Sequence, residues 1–248
     1  MSGRHRLRSF LTLTYMNGVV PIRRQPLYFI NLIASPLSFL FFISIASEGT
    51  LLLYGVAGGM LLTILSIGTS LQTDLAHYRN DMKLQDVVVA TPVEAWVYVS
   101  GMAFSELVYS IPGMAVFAVL WVWYAPASLV GALTLVTVLL LVWAFASALG
   151  FTFATYFADV RETFAFAPLV SLVLSVLPPV YYPITRLPGW LQPLAYLSPT
   201  TYAADLLHGA FGLPGPTFTG AILDWAVLVG FTVGLLVVAS AKARWREP

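Results

Sequence analysis

"HYRNDMKLQDVVVATPVEAW", residues 77–96, is the longest interior stretch of this chain with the polarity of a water-facing segment. It gathers Arg79, Asp81, Lys83, Asp86 and Glu94, although only 9% of the 248 residues are charged. Apolar runs lie on both sides, at 50–72 and 96–124. About 20 apolar residues cross a bilayer core, so each run is long enough to span it. A short polar helix between two spans means that the chain leaves the lipid and returns to it.

Composition agrees with that reading. The chain is 59% hydrophobic, with mean hydropathy +0.85. A soluble domain carries roughly 25% charged residues, far more than this chain has available to cover a wet surface. The expected class is an all-α integral membrane protein. A net charge of +1 and the lack of a basic domain speak against a nucleic-acid partner. Cysteine is absent, which rules out disulfides, thiolate zinc sites and cysteine nucleophiles. The basic first residues lead into no apolar run with a cleavage site, so no cleavable signal peptide is expected.

Six spans are expected, at 27–46, 50–72, 96–124, 127–157, 163–182 and 221–241. Lysine and arginine concentrate on the cytoplasmic side of membrane proteins. With both termini inside, Arg4, Arg6, Arg8, Arg23, Arg24, Arg79, Lys83, Arg161, Lys242, Arg244 and Arg246 are cytoplasmic, and only Arg186 is outside. The expected location is the cell membrane, multi-pass.

Residues 4–24 do not read as a span. Leu7, Phe10, Leu11, Thr14, Tyr15 and Gly18 recur at helical spacing, with Arg4 and Arg8 off that stripe. This predicts an interfacial amphipathic helix whose Arg4, Arg6 and Arg8 meet headgroups while Phe10 and Leu11 face the acyl chains. Residues 184–212 predict an outer re-entrant hairpin of two short helices, "PGWLQPLAYL" and "SPTTYAADLLHGAF". Ser198 is its N-cap candidate, with Pro199 at the first helical position. Asp224 and Trp225 are expected to anchor the last span at the outer interface.

Catalytic motifs are missing. No G-x-x-x-x-G-K-[ST] loop cradles a phosphate, and neither H-E-x-x-H nor G-x-S-x-G occurs. His5, His77 and His208 lie in separate segments, so neither a metal site nor a bound cofactor is expected. Glu106, in "GMAFSELVYSIPG", is the one ionisable group expected at depth. Its insertion costs roughly 2.5–3.5 kcal/mol, so it faces protein, either on a substrate path or as a contact between helices. No second acidic residue is expected at that depth, which counts against a self-powered secondary transporter. A membrane enzyme or assembly factor has no motif in its favour. In "YFADVRETF", Asp159, Arg161 and Glu162 mark a second inner contact or an ordinary solvated turn.

Within 77–91, Met82 and Val89 share one helical face, and Leu84 and Val88 form an apolar row beside it. Lys83 and Asp86 lie toward the other side. Thr91 before Pro92 ends the helix. Such a face suits a groove on another protein or the membrane surface.

The order of parts resembles an ABC-2 type transporter permease over nearly the whole chain. It runs from a basic interfacial helix through two spans to an inner helix ending "ATPVEAW". Three more spans, a Pro- and aromatic-rich outer hairpin and a last span follow. "LPGWLQPLAYLSPTTYAADLLHGA" is similar to the family's pattern before its last helix, with Ser198 where Asn is frequent and His208 near a frequent Arg. The resemblance implies a transport subunit with no ATP site of its own. It pairs with a second permease chain, a homodimer being favoured, and with two ABC ATPase subunits that bind ATP and magnesium. Residues 77–91 would be the coupling helix, contacting the ATPase through Met82, Lys83, Leu84, Asp86, Val88 and Val89. The hairpin, with Trp190, Tyr196, Tyr202 and Asp205, would be an outer gate. The expected load is a hydrophobic drug or a lipid-like molecule. The alternative is a lipid-linked polysaccharide, since Tyr181, Tyr182, Tyr196, Tyr202, Trp190 and Phe211 crowd the outer portion.

Overall fold

The computed structural model describes residues 3–24, 26–80, 95–126, 128–157, 160–175 and 178–242. Among them the fold is helical and without strands. The long elements are α1 (Gly3–Thr14), α2 (Val20–Arg24), α3 (Pro26–Ala46), α4 (Leu52–Asn80), α5 (Ala95–Tyr124), α6 (Leu129–Tyr156) and α7 (Val160–Ser175). Then come α8 (Gln192–Ala195), α9 (Pro199–Ala210) and α10 (Phe218–Lys242). A π turn, Tyr15–Val19, joins α1 to α2, and a 3-10 turn, Ile184–Arg186, precedes α8.

Among the described residues four helices are long and apolar enough to cross a membrane: Leu52–Asn80, Trp96–Tyr124, Leu129–Tyr156 and Phe218–Ala241. Helix α3 adds the shorter apolar stretch Leu32–Ala46. Pro36, Pro112 and Pro168 lie inside helices, as expected.

Helix α4 is the hub and packs on α3, α5, α6, α7 and α9. Its most apolar window is 67% buried, against 17% for α10. The cause is its run of small residues. Gly58 and Gly59 leave room for the rings of Tyr181 and Phe117, and Gly68 lies against the α6 backbone at Ala146 and Gly150. In lipid, where association rests on close packing, such positions seat neighbouring helices.

Two expected boundaries differ. The span at 50–72 continues as one helix to Asn80, so His77–Asn80 close α4 rather than open a separate helix. The rest of the expected 77–91 helix, with Met82, Lys83, Leu84, Asp86, Val88 and Val89, lies outside the described residues, as does Asp159. The expected 163–182 span starts earlier, at Val160, and its described helix ends at Ser175. Residues 178–183 are not helical. Pro178, Pro179 and Pro183 supply no backbone donor there.

The N-terminal helix forms, but its stripe divides. Phe10 stacks on Phe104 at 5.5 Å, Thr14 is buried, and Gly18 abuts Ser105, so this edge lies on α5. Leu7, Leu11 and Tyr15 remain exposed and apolar. Arg4 and Arg8 are exposed, and the Arg6 guanidinium sits 6.0 Å from the Trp96 ring centroid.

The hairpin forms two short helices, α8 and α9, as expected. Pro199 opens α9, but Ser198 caps no backbone N–H. Its hydroxyl instead meets Thr200 Oγ1 at 2.7 Å, and that oxygen bonds the Leu174 carbonyl at 2.8 Å. Gly212 ends α9 with φ +71°, a conformation that favours glycine, and the Leu213 N–H returns to the His208 carbonyl at 2.9 Å.

Candidate functional site

A cleft runs beside α4. Its wider part, about 620 Å³, is lined by Asn17, Thr73, Asp74, Tyr78, Glu106 and Tyr109, with Phe164 and Pro168 of α7 among its other walls. A second cavity of about 420 Å³ shares Ser70, Glu106 and Tyr109 with the first. It continues along Leu32, Pro36, Phe39, Leu62, Ile67 and Phe117. The cleft is therefore polar at one end and mostly apolar at the other.

Glu106, 8% exposed, stands where the two parts meet. The carboxyls of Glu106 and Asp74 lie close enough for each to feel the other's charge. The expectation that Glu106 has no acidic companion at its depth is thus wrong. Asp74 lies two residues beyond the expected end of the second span, and the unbroken course of α4 carries it inward.

The cleft wall is held by polar contacts. The Tyr78 hydroxyl donates to Asn17 Oδ1 at 3.1 Å. The Asn17 amide donates to the Leu13 carbonyl at 3.1 Å and reaches Met102 Sδ at 3.4 Å. Asn17 sits in the π turn, a local widening that often marks functional positions. Trp143 Nε1 donates to the Ala103 carbonyl at 3.2 Å and pins α6 to α5 one turn from Glu106. Gln72, 1% exposed, lines a narrow recess that shares Thr69 and Ser171 with the cleft, and its amide nitrogen has no acceptor among the described residues. Asp74, Asn17, Tyr78, Tyr109 and Gln72 escaped the sequence reading. The available signal was helical spacing past residue 72, where Leu71, Leu75 and Tyr78 continue the apolar face.

Arg79, counted in the sequence only as a positive charge, locks two helix ends together. Its Nη1 donates to the Thr155 carbonyl at 3.1 Å and its Nη2 to that of Phe157 at 2.8 Å. These are orphan carbonyls at the end of α6, where a cation is also favoured by the helix dipole. The turn containing Arg161 and Glu162 follows, and both residues are exposed. Arg79→Ala is expected to cost about 1–3 kcal/mol, as charged hydrogen bonds do. The check is a lower midpoint in thermal unfolding in detergent. Arg79→Lys should restore only part, because an ammonium lacks the guanidinium fork.

At the hairpin the proposed gate residues assemble unevenly. The Tyr196 and Tyr202 rings lie 6.0 Å apart, the Tyr202 hydroxyl donates to the Tyr196 carbonyl at 2.9 Å, and the Asp205 charge bears on both phenols. Trp190 stands exposed. Asp224 is buried, and one of its oxygens has no partner among the described residues. His208 is buried, with Nε2–H toward the Val180 carbonyl at 3.3 Å and its ring edge-on to Tyr54. Burial holds its pKa down to about 4, so it is neutral. The aromatic crowding does not form one platform, because Phe211 is buried beside Trp121 and Tyr181 packs on Phe39.

Burial, and then the Asp224 charge, push the Asp205 carboxyl up to about 6 from 3.8. A raised carboxyl pKa favours the protonated folded state. Its contribution is full below pH about 4 and is lost as pH rises through about 6. Asp205→Asn is therefore expected to flatten that part of the stability–pH profile and to raise the thermal midpoint above pH 7. Limited proteolysis of the hairpin across pH provides a second readout.

Helices long and apolar enough to span, packed around a cleft with ionisable groups, define a helical membrane protein. The chain matches the ABC-2 type transporter family over residues 10–211, most of its length, and belongs to that family. It is a permease subunit of an ABC transporter, which implies an ABC ATPase partner and a membrane location. No curated protein matches the sequence significantly.

Proposed function

We propose that the chain is the membrane half of an ATP-driven exporter, moving a hydrophobic drug-like or lipid-like substrate outward. The observation that carries this reading is the cleft. Its longer flank is apolar, it lies beside the hub helix, and it involves the interfacial helix through Asn17 and Pro21. A load that already resides in lipid suits such walls.

In this reading α3 and α7 complete six crossings, and both termini are cytoplasmic. Two copies of the chain pair, and two ATPase subunits bind below. Residues 77–91 couple to the ATPase, and the turn with Asp159, Arg161 and Glu162 forms a second contact. Arg79 supports that arrangement, because it joins the end of α4 to the end of α6 and so links the two turns mechanically. The hairpin is the outer gate.

The test is co-purification with an ABC ATPase encoded beside the chain, followed by ATP hydrolysis with and without the permease. Reconstituted vesicles then report direction, since ATP supplied on the ATPase side should drive solute to the other side. A folded, monodisperse chain that neither holds the ATPase nor alters its hydrolysis would overturn the reading.

A further inference from the structure

We infer that the cleft selects amphiphilic cations, holding a positive headgroup at Asp74 and Glu106 and an apolar body along the second cavity. This rests on the export reading and names the sign of its substrate. Three observations converge. First, the two cavities adjoin, sharing Ser70, Glu106 and Tyr109 in their walls. They measure about 620 and 420 Å³, each within the roughly 300–1,000 Å³ of sites that take drug-sized ligands.

Second, the ionisable lining is acidic. No lysine or arginine is among the described residues that line either cavity, while both carboxyls are. An anionic headgroup placed there would face like charge in a poorly screened site. A cation would be drawn to the two carboxyls. His77 bears on Asp74 but is not among the cleft-lining residues. The phenol of Tyr109 and the ring of Phe164 add faces on which a cation can rest.

Third, the polar end carries groups a headgroup can use. Thr73 and Ser70 line it, and their hydroxyls can bond a headgroup. The far end offers Leu32, Phe39, Ile67 and Phe117 and no ionisable group besides Glu106 and the Tyr109 phenol, which suits a hydrocarbon or aromatic body.

The experiment uses the full-length chain in detergent and radiolabelled tetraphenylphosphonium, with empty micelles as the blank. Tetraphenylborate, of nearly the same size and opposite charge, is the competitor. Saturable cation binding is expected, with little displacement by the anion. Asp74→Asn combined with Glu106→Gln should weaken it roughly tenfold or more, the scale of one lost charge interaction. These amide substitutions remove buried charge at constant shape, so folding is expected to survive and is checked by gel filtration. The wild-type comparison of cation against anion decides the matter without any variant. Equal competition by the anion, unchanged affinity in a folded double variant, or no saturable binding would each overturn the proposal. ATPase association is measured on the same preparation. Association without cation binding defeats this inference alone, and cation binding without association defeats the export reading.

Discussion

Gly150→Val abolishes recovery of a folded, monodisperse chain: that is the expected result, and the reason is backbone. A Cβ at Gly150 would lie 2.1 Å from the Gly68 carbonyl oxygen and 3.2 Å from its Cα. A Cβ at Gly68 would lie 2.4 Å from the Ala146 carbonyl oxygen. A clash with a flexible side chain relaxes by a change of rotamer, but a carbonyl in a helix does not move alone. Helices α4 and α6 would have to separate, which would loosen Ile64, Leu65, Val142 and Ala146 in the main core. Overpacking costs about 1–3 kcal/mol when side chains absorb it, and more when the backbone must shift. Total stabilities of about 5–15 kcal/mol leave little margin. Fluorescence-detected gel filtration and thermal midpoints should fall in the order Gly, Ala, Val at position 150. Gly230 and Gly234 supply the control. A Cβ at either meets nothing within 4 Å, so Gly230→Ala and Gly234→Ala should leave both readouts unchanged. Similar losses at all three positions would show that the α4–α6 crossing is not specially close.

What the sequence made legible follows from what hydropathy measures. Helices α5, α6 and α10 are apolar almost throughout, so their spans fell close to the observed ends. Helix α4 is different. Gln72, Asp74, His77 and Arg79 look like the start of a wet loop when each is scored against water or lipid. They find protein instead: Asp74 meets Glu106, Arg79 meets two carbonyls, and Gln72 is buried against α6 and α7. A tertiary partner offsets the polarity, and a one-dimensional score has no access to that partner. The same limit hid the cleft, whose two acids lie on different helices. The interfacial helix shows the reverse situation. Its period was plain, yet the period alone could not say that Thr14 and Gly18 face α5 while Leu7 and Leu11 stay exposed. The aromatic residues near the hairpin were counted correctly, but their crowding along the chain did not foretell that Phe211 would be buried beside Trp121.

Met82→Asp together with Val88→Asp is expected to abolish association with the ATPase and all ATP-driven transport, while membrane insertion and folding persist. The argument starts from position. Helix α4 ends at Asn80 and α5 begins at Ala95, so the intervening segment is tied at both ends to the spans that line the cleft. Its sequence puts Met82 and Val89 on one apolar face and Leu84 and Val88 beside them. If that face seats in a groove on the ATPase, each new carboxylate is buried without a partner. Such burial costs on the order of 1–3 kcal/mol or more per group. Two of them weaken the complex roughly a hundredfold or more. If the face rests on lipid instead, the same substitutions loosen the segment from the bilayer but leave the ATPase bound. Pull-down of the ATPase and its stimulated hydrolysis therefore separate the two cases, and gel filtration of the variant confirms folding. Arg79→Ala makes the complementary variant. It leaves the docking face intact and cuts the link from α4 to the end of α6, so the ATPase should remain bound while its hydrolysis drives less transport. Loss of binding in the first variant and loss of transport alone in the second would distinguish the surface that receives the ATPase from the latch that passes its motion into the membrane.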